Sequence, residues 1–379
     1  MVPSKVAPTS RSARSNVESE LSMQSESPLL TIAIPTFNRC EFLSELLECI
    51  LPQLLSASGV ELLISDNCST DETAATVERF RARGLDPRYI RNPVNIGADA
   101  NFLQCFRESA GKYLWIMGDD DVLVDGSIGR ILRILQHSSV SEDDSGDFDM
   151  AYVSSFGFSG KFDPGRISIP RDPFGRFAEV VTDGRYFLDR VHANIVLLSV
   201  VIVNKKRLTS SGMPPIRDLG DCNLQQLAWV LPSVRRRGRI LYIWERLVGY
   251  RRSNTSGFGV CQVFGIQLPE IASQYYSNDR DMYNTLINAL VRQWFPDVIA
   301  QLRRGEQPLL IAEDYARILT PTHSGNWRYW IFLYPVASLS LPLAFVLFRL
   351  TRALNSVWRA LQVLMHYYFR RGDSFDGLG

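Results

Sequence analysis

The chain of 379 residues has no CxxC pair, no histidine at zinc-ligand spacing, no excess of either charge and no internal repeat. Cys40, Cys49, Cys68, Cys105, Cys222 and Cys261 stand apart from one another and from His137, His192, His323 and His366. That excludes a zinc-finger pattern, leaves no histidine with a ligand role, and reads as buried thiols of a reducing compartment. A formal net charge of +1 leaves no electrostatic footprint for nucleic acid, and no nucleic-acid partner is expected. The first 28 residues are rich in Ser, with Pro, Arg and Glu, and lack an apolar h-region, so 1–28 is expected to be a disordered tail and the folded part to stay in the cytosol.

What is present is a globular composition, 46% hydrophobic and 21% charged, long enough for roughly two to three domains. Strand-like and helix-like stretches alternate. LLTIAIP (29–35), VELLISD (60–66), PRYIRN (87–92) and KYLWIMG (112–118) read as strands. CEFLSELLECILPQLL (40–55), STDETAATVERFRARG (69–84, with Ser69 or Thr70 as cap and Gly84 as stop) and GADANFLQCFRESAG (97–111) read as helices. This order predicts an α/β fold with a doubly wound, mostly parallel sheet flanked by helices.

In such sheets ligands sit at the carboxyl ends of the strands, and there the unusual residues fall: PTFNR after the first, SDNCSTD after the second, NPVNIG after the third, GDDD after the fourth. Asp119, Asp120 and Asp121 in a row repel one another and are costly to desolvate, so something positive belongs beside them. Carboxylates at a strand end suit a hard cation such as Mg²⁺ or Mn²⁺ that keeps positions open for phosphate oxygens. The acidic run SEDDSGDFD (141–149) has no apolar framing and reads as a solvated loop.

These motifs resemble glycosyltransferase family 2, with the GT-A fold: TIAIPTFNR is similar to the family's first strand and loop, SDNCSTDET to its DDGSTDxT segment, NIGADAN to its N-x-G-x-x-x-N stretch and GDDD to its DXD motif. The similarity is dense over 29–125 and thinner to about 255. The resemblance implies a nucleotide pocket formed by Pro35, Thr36, Phe37, Arg39, Asp66, Asn67, Asn95, Gly97, Asn101 and Asp119, with Phe37 against the base, and a metal held by Asp119, Asp120 and Asp121. It departs from the family's pattern at Asn67 and Gly118. A carboxylate only accepts whereas Asn also donates, so the base stays open between uracil or thymine and cytosine.

Farther on, DLGDCNLQQLAW (218–229) resembles the family segment that supplies the general base, implying Asp221, with Asp218 as runner-up because Gly220 replaces the preceding acid. Asp221 also reads as the cap of a 222–230 helix. Arg251 and Arg252 are candidates to close over a diphosphate. The implied chemistry is metal-dependent, inverting transfer from a nucleotide-diphosphate sugar to a glycan acceptor, in bacterial surface or extracellular polysaccharide synthesis. Two alternatives stand: a decayed sugar-nucleotide-binding scaffold, and a nucleotidyltransferase, which would want a Gly-rich basic loop where PTFNR has one Arg and no Gly.

At the other end, Trp330–Phe348 is an uncharged run of bilayer length, interrupted by Pro335 and Pro342, and the Arg-containing stretch after it has interfacial helical spacing. The expected organisation is a 29–255 GT-A domain (donor half 29–125, acceptor half 126–255), a helical extension 256–325 and membrane-associated helices 326–379. A lipid-linked glycan acceptor at the cytosolic face of the inner membrane fits that layout.

Overall fold

The structure, a computed structural model, describes residues 27–138, 146–163, 165, 175, 177–211, 213, 215–252, 258–305 and 313–369. The tail expected over 1–28 lies, but for its last two residues, outside them.

β1 (Leu30–Thr36), α1 (Cys40–Leu55), β2 (Val60–Asp66), α2 (Thr73–Arg81), β3 (Arg88–Arg91), α3 (Ala98–Glu108) and β4 (Tyr113–Ile116) follow the expected alternation. The two-residue period of the strands creates two cores. Leu30, Ile32 and Ile34 of β1 and Tyr113 and Trp115 of β4 face one; Ala33, Leu63, Leu114 and Ile116 face the other. Against the first lies α1, whose buried Leu43, Leu46, Leu47, Ile50 and Leu51 repeat at three- and four-residue steps. Full burial of each such side chain contributes roughly 1.5–3 kcal/mol, so these layers drive the assembly.

The sheet then continues through β5 (Val122–Leu123), β6 (Met150–Phe158), β7 (Ala178–Val181), β8 (Val201–Asn204) and β9 (Ile240–Arg251), interspersed with α4 (Ser127–Ser138), α5 (Gly184–Val191), α6 (Lys205–Leu208) and α7 (Leu227–Ser233). Its order is β3-β2-β1-β4-β8-β6-β9-β5, with β7 also on β9. Strands β3, β2, β1 and β4 are parallel. Beyond β4 the sheet is mixed: β8 is antiparallel to β4 and β6, β9 is parallel to β6, and β5 and β7 are antiparallel to β9. The regular helix–strand alternation that imposes parallel crossovers ends at β4.

Three local expectations change. The 197–205 stretch is strand only over Val201–Asn204, because a 3-10 turn at Leu198–Val200 precedes it and buries Ser199. The acidic 141–149 loop is not wholly solvated: 141–145 lie outside the described residues, but Asp147 and Asp149 are buried, paired with Lys112 and with Arg207 and Arg235 from distant segments. The apolar 330–348 run is not one helix. Residues 329–333 form a π-turn leading into α12 (Tyr334–Ser338), Leu339 is extended, and α13 (Leu341–Phe369) begins afresh. Pro335 and Pro342 each sit in a first helical turn, where a missing N–H is harmless.

Between β9 and α12 lie α8 (Leu268–Tyr275), α9 (Arg280–Ala289), α10 (Phe295–Arg303) and α11 (Tyr315–His323). Their Leu268, Leu286, Phe295 and Leu319 join the core that holds Ala33, Leu114 and Val203. Among the described residues no helix is long and apolar enough to cross a membrane.

Candidate active site

The parallel half brings the ends of β1, β2, β3 and β4 to one edge, and the loops after them interlock. After β4, Asp119 is buried with Oδ2 accepting from the Thr36 hydroxyl at 2.8 Å and Oδ1 3.1 Å from Arg39 Nη1. Arg39 also lies 3.9 Å from Asp120. The positive group that three adjacent carboxylates require is therefore in part Arg39, whose charge Asp119 and Asp120 favour against the opposing effect of burial.

Asp121 turns the other way. Its Oδ2 accepts from the Ser199 hydroxyl at 2.5 Å, while that hydroxyl accepts the Gly118 amide at 2.8 Å. Its Oδ1 accepts the Arg251 amide at 3.2 Å. Burial, with Arg39 and its hydrogen bonds only partly offsetting it, pushes Asp119 up to about 6; burial and the neighbouring Asp120 push Asp121 up to about 7. Negative charge is under-compensated here.

The loop after β1 is laced to the loop after β2. The Asn38 amide donates to Ser69 Oγ, the Thr70 amide to Asn38 Oδ1, and the Cys40 amide to Asp71 Oδ2. Asn38 has φ +52°, a left-handed turn that Asn tolerates. Asp71 also accepts the Thr73 amide and hydroxyl, so it serves the starts of both α1 and α2. Neither Ser69 nor Thr70 caps this helix, whose N-cap is Glu72, and it runs over Thr73–Arg81 instead of 69–84. Phe37, in the loop after β1, is 40% exposed.

Asp66 and Asn67 are both buried. Asp66 is fully buried, with Oδ1 on the Ser69 amide and Oδ2 on the Tyr89 hydroxyl. Asn67 donates to Asn95 Oδ1 (2.8 Å) and the Gly97 carbonyl (3.2 Å), and accepts from the Ile96 amide and Asn92. All its side-chain bonds hold the 92–97 loop. Asn101, expected in the nucleotide pocket, is buried and pinned to Ser65 through its hydroxyl and carbonyl. It fixes α3 to β2 and does not face the opening.

Asn95 also accepts the Gly97 amide, and Gly97 (φ +87°) starts α3. A Cβ there would stand 3.5 Å from Asp221 Oδ1. Asp221 is exposed and caps no helix: α7 begins at Leu227, six residues on. The turn beside Asp221 is held instead by buried Asp99 of α3, which accepts the amides of Cys222, Asn223 and Gln225. Burial holds the Asp99 carboxyl above its usual range, and Asp221 adds to that, while the three amides oppose it. Asp218, the runner-up, folds back onto the Gly220 amide.

The structure thus joins the expected residues in one path, Asp119 to Thr36, Thr36 carbonyl to Asn67 amide, Asn67 to Asn95 and Gly97, Gly97 to Asp221. Arg251 does not join it as a phosphate clamp. Its side chain is 7% exposed, paired with Glu45, donating to the Asp120 and Gly160 carbonyls and stacked on Phe42 and Phe158. Ser199 and Asp99 were not singled out in the sequence; one sits in an apolar run, the other inside a helix, and their partners are 78 and 123 residues away.

Among the described residues no three His, Cys, Asp or Glu side chains gather closely enough to hold an ion unaided, so the three aspartates do not form a cage. Yet a Cβ at Gly118 would stand 3.1 Å from Asp120 Oδ1 and 3.2 Å from Asp121 Oδ2. Two carboxylates folded over one glycine, in a cradle that a side chain would fill, fit a Mg²⁺-like ion, which ordinarily takes one or two carboxylates and completes its shell with water and phosphate.

Residues 31–142 match the model of the Glycosyl transferase family 2 family. Over 108 residues the chain is 43% identical to abequosyltransferase RfbV of Salmonella typhimurium, a stretch that covers 28% of this chain and 32% of that protein. It is 25% identical over 107 residues to GalNAc(5)-diNAcBac-PP-undecaprenol beta-1,3-glucosyltransferase of Campylobacter jejuni, covering 28% and 34%. The chain therefore spans about a third of the length of these curated relatives. In fold it is similar to S. aureus TarS 1-349 solved in complex with UDP-GlcNAc, with a TM-score of 0.56 and 16% identity over 87% of this chain and 91% of the other.

Proposed function

Because residues 31–142 match the glycosyl transferase family 2 model, we propose that this chain is a member of that family and moves a sugar from a nucleotide-diphosphate sugar to a hydroxyl of a glycan acceptor. The observation that carries this reading is the chain of hydrogen bonds from the Asp119–Arg39 pair to Gly97, with Asp221 beside that glycine, which brings an under-compensated acidic cluster and an exposed carboxylate to the same loops.

Phe37 offers its face to the base. Thr36, Arg39 and Asp119 form the floor beneath the diphosphate, and Asn95 and Gly97 shape the wall toward the acceptor. Asp66 and Asn67 act by holding those loops. Asp120 and Asp121 are the residues to hold Mg²⁺ or Mn²⁺, which when bound supplies Lewis-acid stabilisation of the departing diphosphate. Asp221 removes the proton of the attacking hydroxyl as the new glycosidic bond forms in a single inverting displacement.

The acceptor class is a lipid-linked glycan presented at the cytosolic face of a bacterial inner membrane, in surface or extracellular polysaccharide synthesis. Supporting it are the glycan-directed names of the relatives, one of them specifying a PP-undecaprenol substrate, and the apolar C-terminal helices.

Calorimetric binding of UDP, dTDP, CDP and GDP, each with and without Mn²⁺, tests the reading. Tight binding of one nucleotide when the metal is present identifies the donor class. Failure of all four by a folded protein would overturn the transferase reading.

A further inference from the structure

Helix α13 has two apolar faces, and the protein covers one. Ala344 and Phe348 are buried against the domain, Arg352 reaches Asp297 at 3.6 Å, and Asn355 donates to the Arg292 carbonyl at 3.0 Å. On the outside, Leu343, Val346, Leu350, Leu354, Val357 and Leu361 are 48 to 67% exposed. They follow one another at three- or four-residue steps, which at about 100° per residue confines them to roughly 80° of arc. Just upstream Trp327, Trp330 and Ile331 are exposed as well. Lone exposed apolar residues are ordinary, but an aligned stripe of six marks an interaction surface.

Charge identifies the occupant. From residue 315 to residue 372 the sequence has no Asp or Glu and seven arginines. A second copy of α13 laid on the stripe would set cation against cation with no acid to answer. Anionic lipid headgroups supply that acid continuously, acyl chains accept the leucines, and exposed tryptophans suit the boundary between them. The alternative of crossing the bilayer is closed to the 330–348 run by its break at Leu339, and Leu333 and Val336 on it are buried in the protein core.

We propose that α13 is an in-plane docking helix that sets its 343–361 stripe into the surface of an anionic bilayer, with Trp327 and Trp330 beside it. This deepens the membrane-side placement of the acceptor and involves no residue of the transfer chemistry, so the two readings fail separately.

The test is flotation of the full chain, without nucleotide, on vesicles of phosphatidylcholine alone or mixed with phosphatidylglycerol. Wild type should float on the mixed vesicles, less so as salt rises, and be released by alkaline carbonate. Leu350→Glu/Leu354→Glu/Val357→Glu should reduce flotation at least about tenfold, and Arg349→Gln about fivefold. All substituted positions are exposed, so unfolding temperature should not move. No flotation of wild type, equal flotation of the triple variant, retention after carbonate, or a stripe-dependent dimer that ignores vesicles would each overturn the proposal.

Discussion

The carboxylate of Asp99 lies 2.8 Å from the amide nitrogen of Cys222, 123 residues away, and accepts from it inside the protein. Two more amides, of Asn223 and Gln225, converge on the same group. The turn that carries Asp221 is thereby built on the first turn of α3, and Asp99 is a positioning residue. Asp99→Asn should leave nucleotide affinity within about twofold while lowering kcat by about tenfold or more, since 1.4 kcal/mol of misplacement suffices for that factor. Asp99→Ala, which leaves buried amides without an acceptor, should also lower stability by about 1–3 kcal/mol in urea unfolding. Unchanged kcat in both variants would remove the positioning role.

Asp221→Asn keeps the shape of the exposed side chain and loses its basicity. Transfer should fall by about 10²- to 10⁴-fold with donor binding intact. Full turnover would hand the role to Asp218.

Asp120→Asn should abolish the metal-dependent part of nucleotide binding in calorimetry. Affinity equal to wild type in the presence of Mn²⁺ would remove the aspartate cradle from the donor site.

Ser199→Ala removes both the acceptor of the Gly118 amide and the donor to Asp121. A stability loss of about 1–3 kcal/mol is expected, together with weaker Mn²⁺-dependent binding, because Asp121 loses the bond that orients it. Unaltered values of both would show that the hydroxyl is dispensable.

Asp119 and Asp121 give the pH dependence its sign. Their folded-state values, about 6 and about 7, lie above the roughly 3.9 of an unfolded Asp. The native state therefore binds more protons between those limits, and this contribution to stability is complete below about pH 4 and lost as pH rises to about 7. Metal-free protein should lose it across that window in thermal melts, Asp121→Asn should flatten the slope, and added Mn²⁺ should stabilise most at the alkaline end. A slope unaltered by Asp121→Asn would assign it to other groups.

How far the site was legible in the sequence follows from where each residue finds its partners. The strand ends, and Phe37 and Asp119 on them, were visible because period-two apolar runs and turn residues are local signals. Arg39 was expected in the nucleotide pocket and proves to be a counter-charge of Asp119. Asn67, Asn101 and Arg251 look like ligand-facing polar residues in the sequence, yet they spend their hydrogen bonds on Ile96, Ser65 and Glu45. Nothing local distinguishes a polar side chain that faces a pocket from one that ties two loops. The antiparallel arrival of β8 escaped for the same reason, since its ladder to β4 pairs Tyr113 with Asn204.

That ladder bears on where the protein can be cut. The family-matched segment 31–142 contains β4 but neither β8, its neighbour in the sheet, nor Ser199 and Arg251, which hold Asp121. Expressed alone, the segment would present β4 as a raw edge of unpaired amides and carbonyls between apolar faces, a template for aggregation. The smallest autonomous folding unit of this chain therefore extends at least through β9, well beyond the portion that its relatives share most visibly.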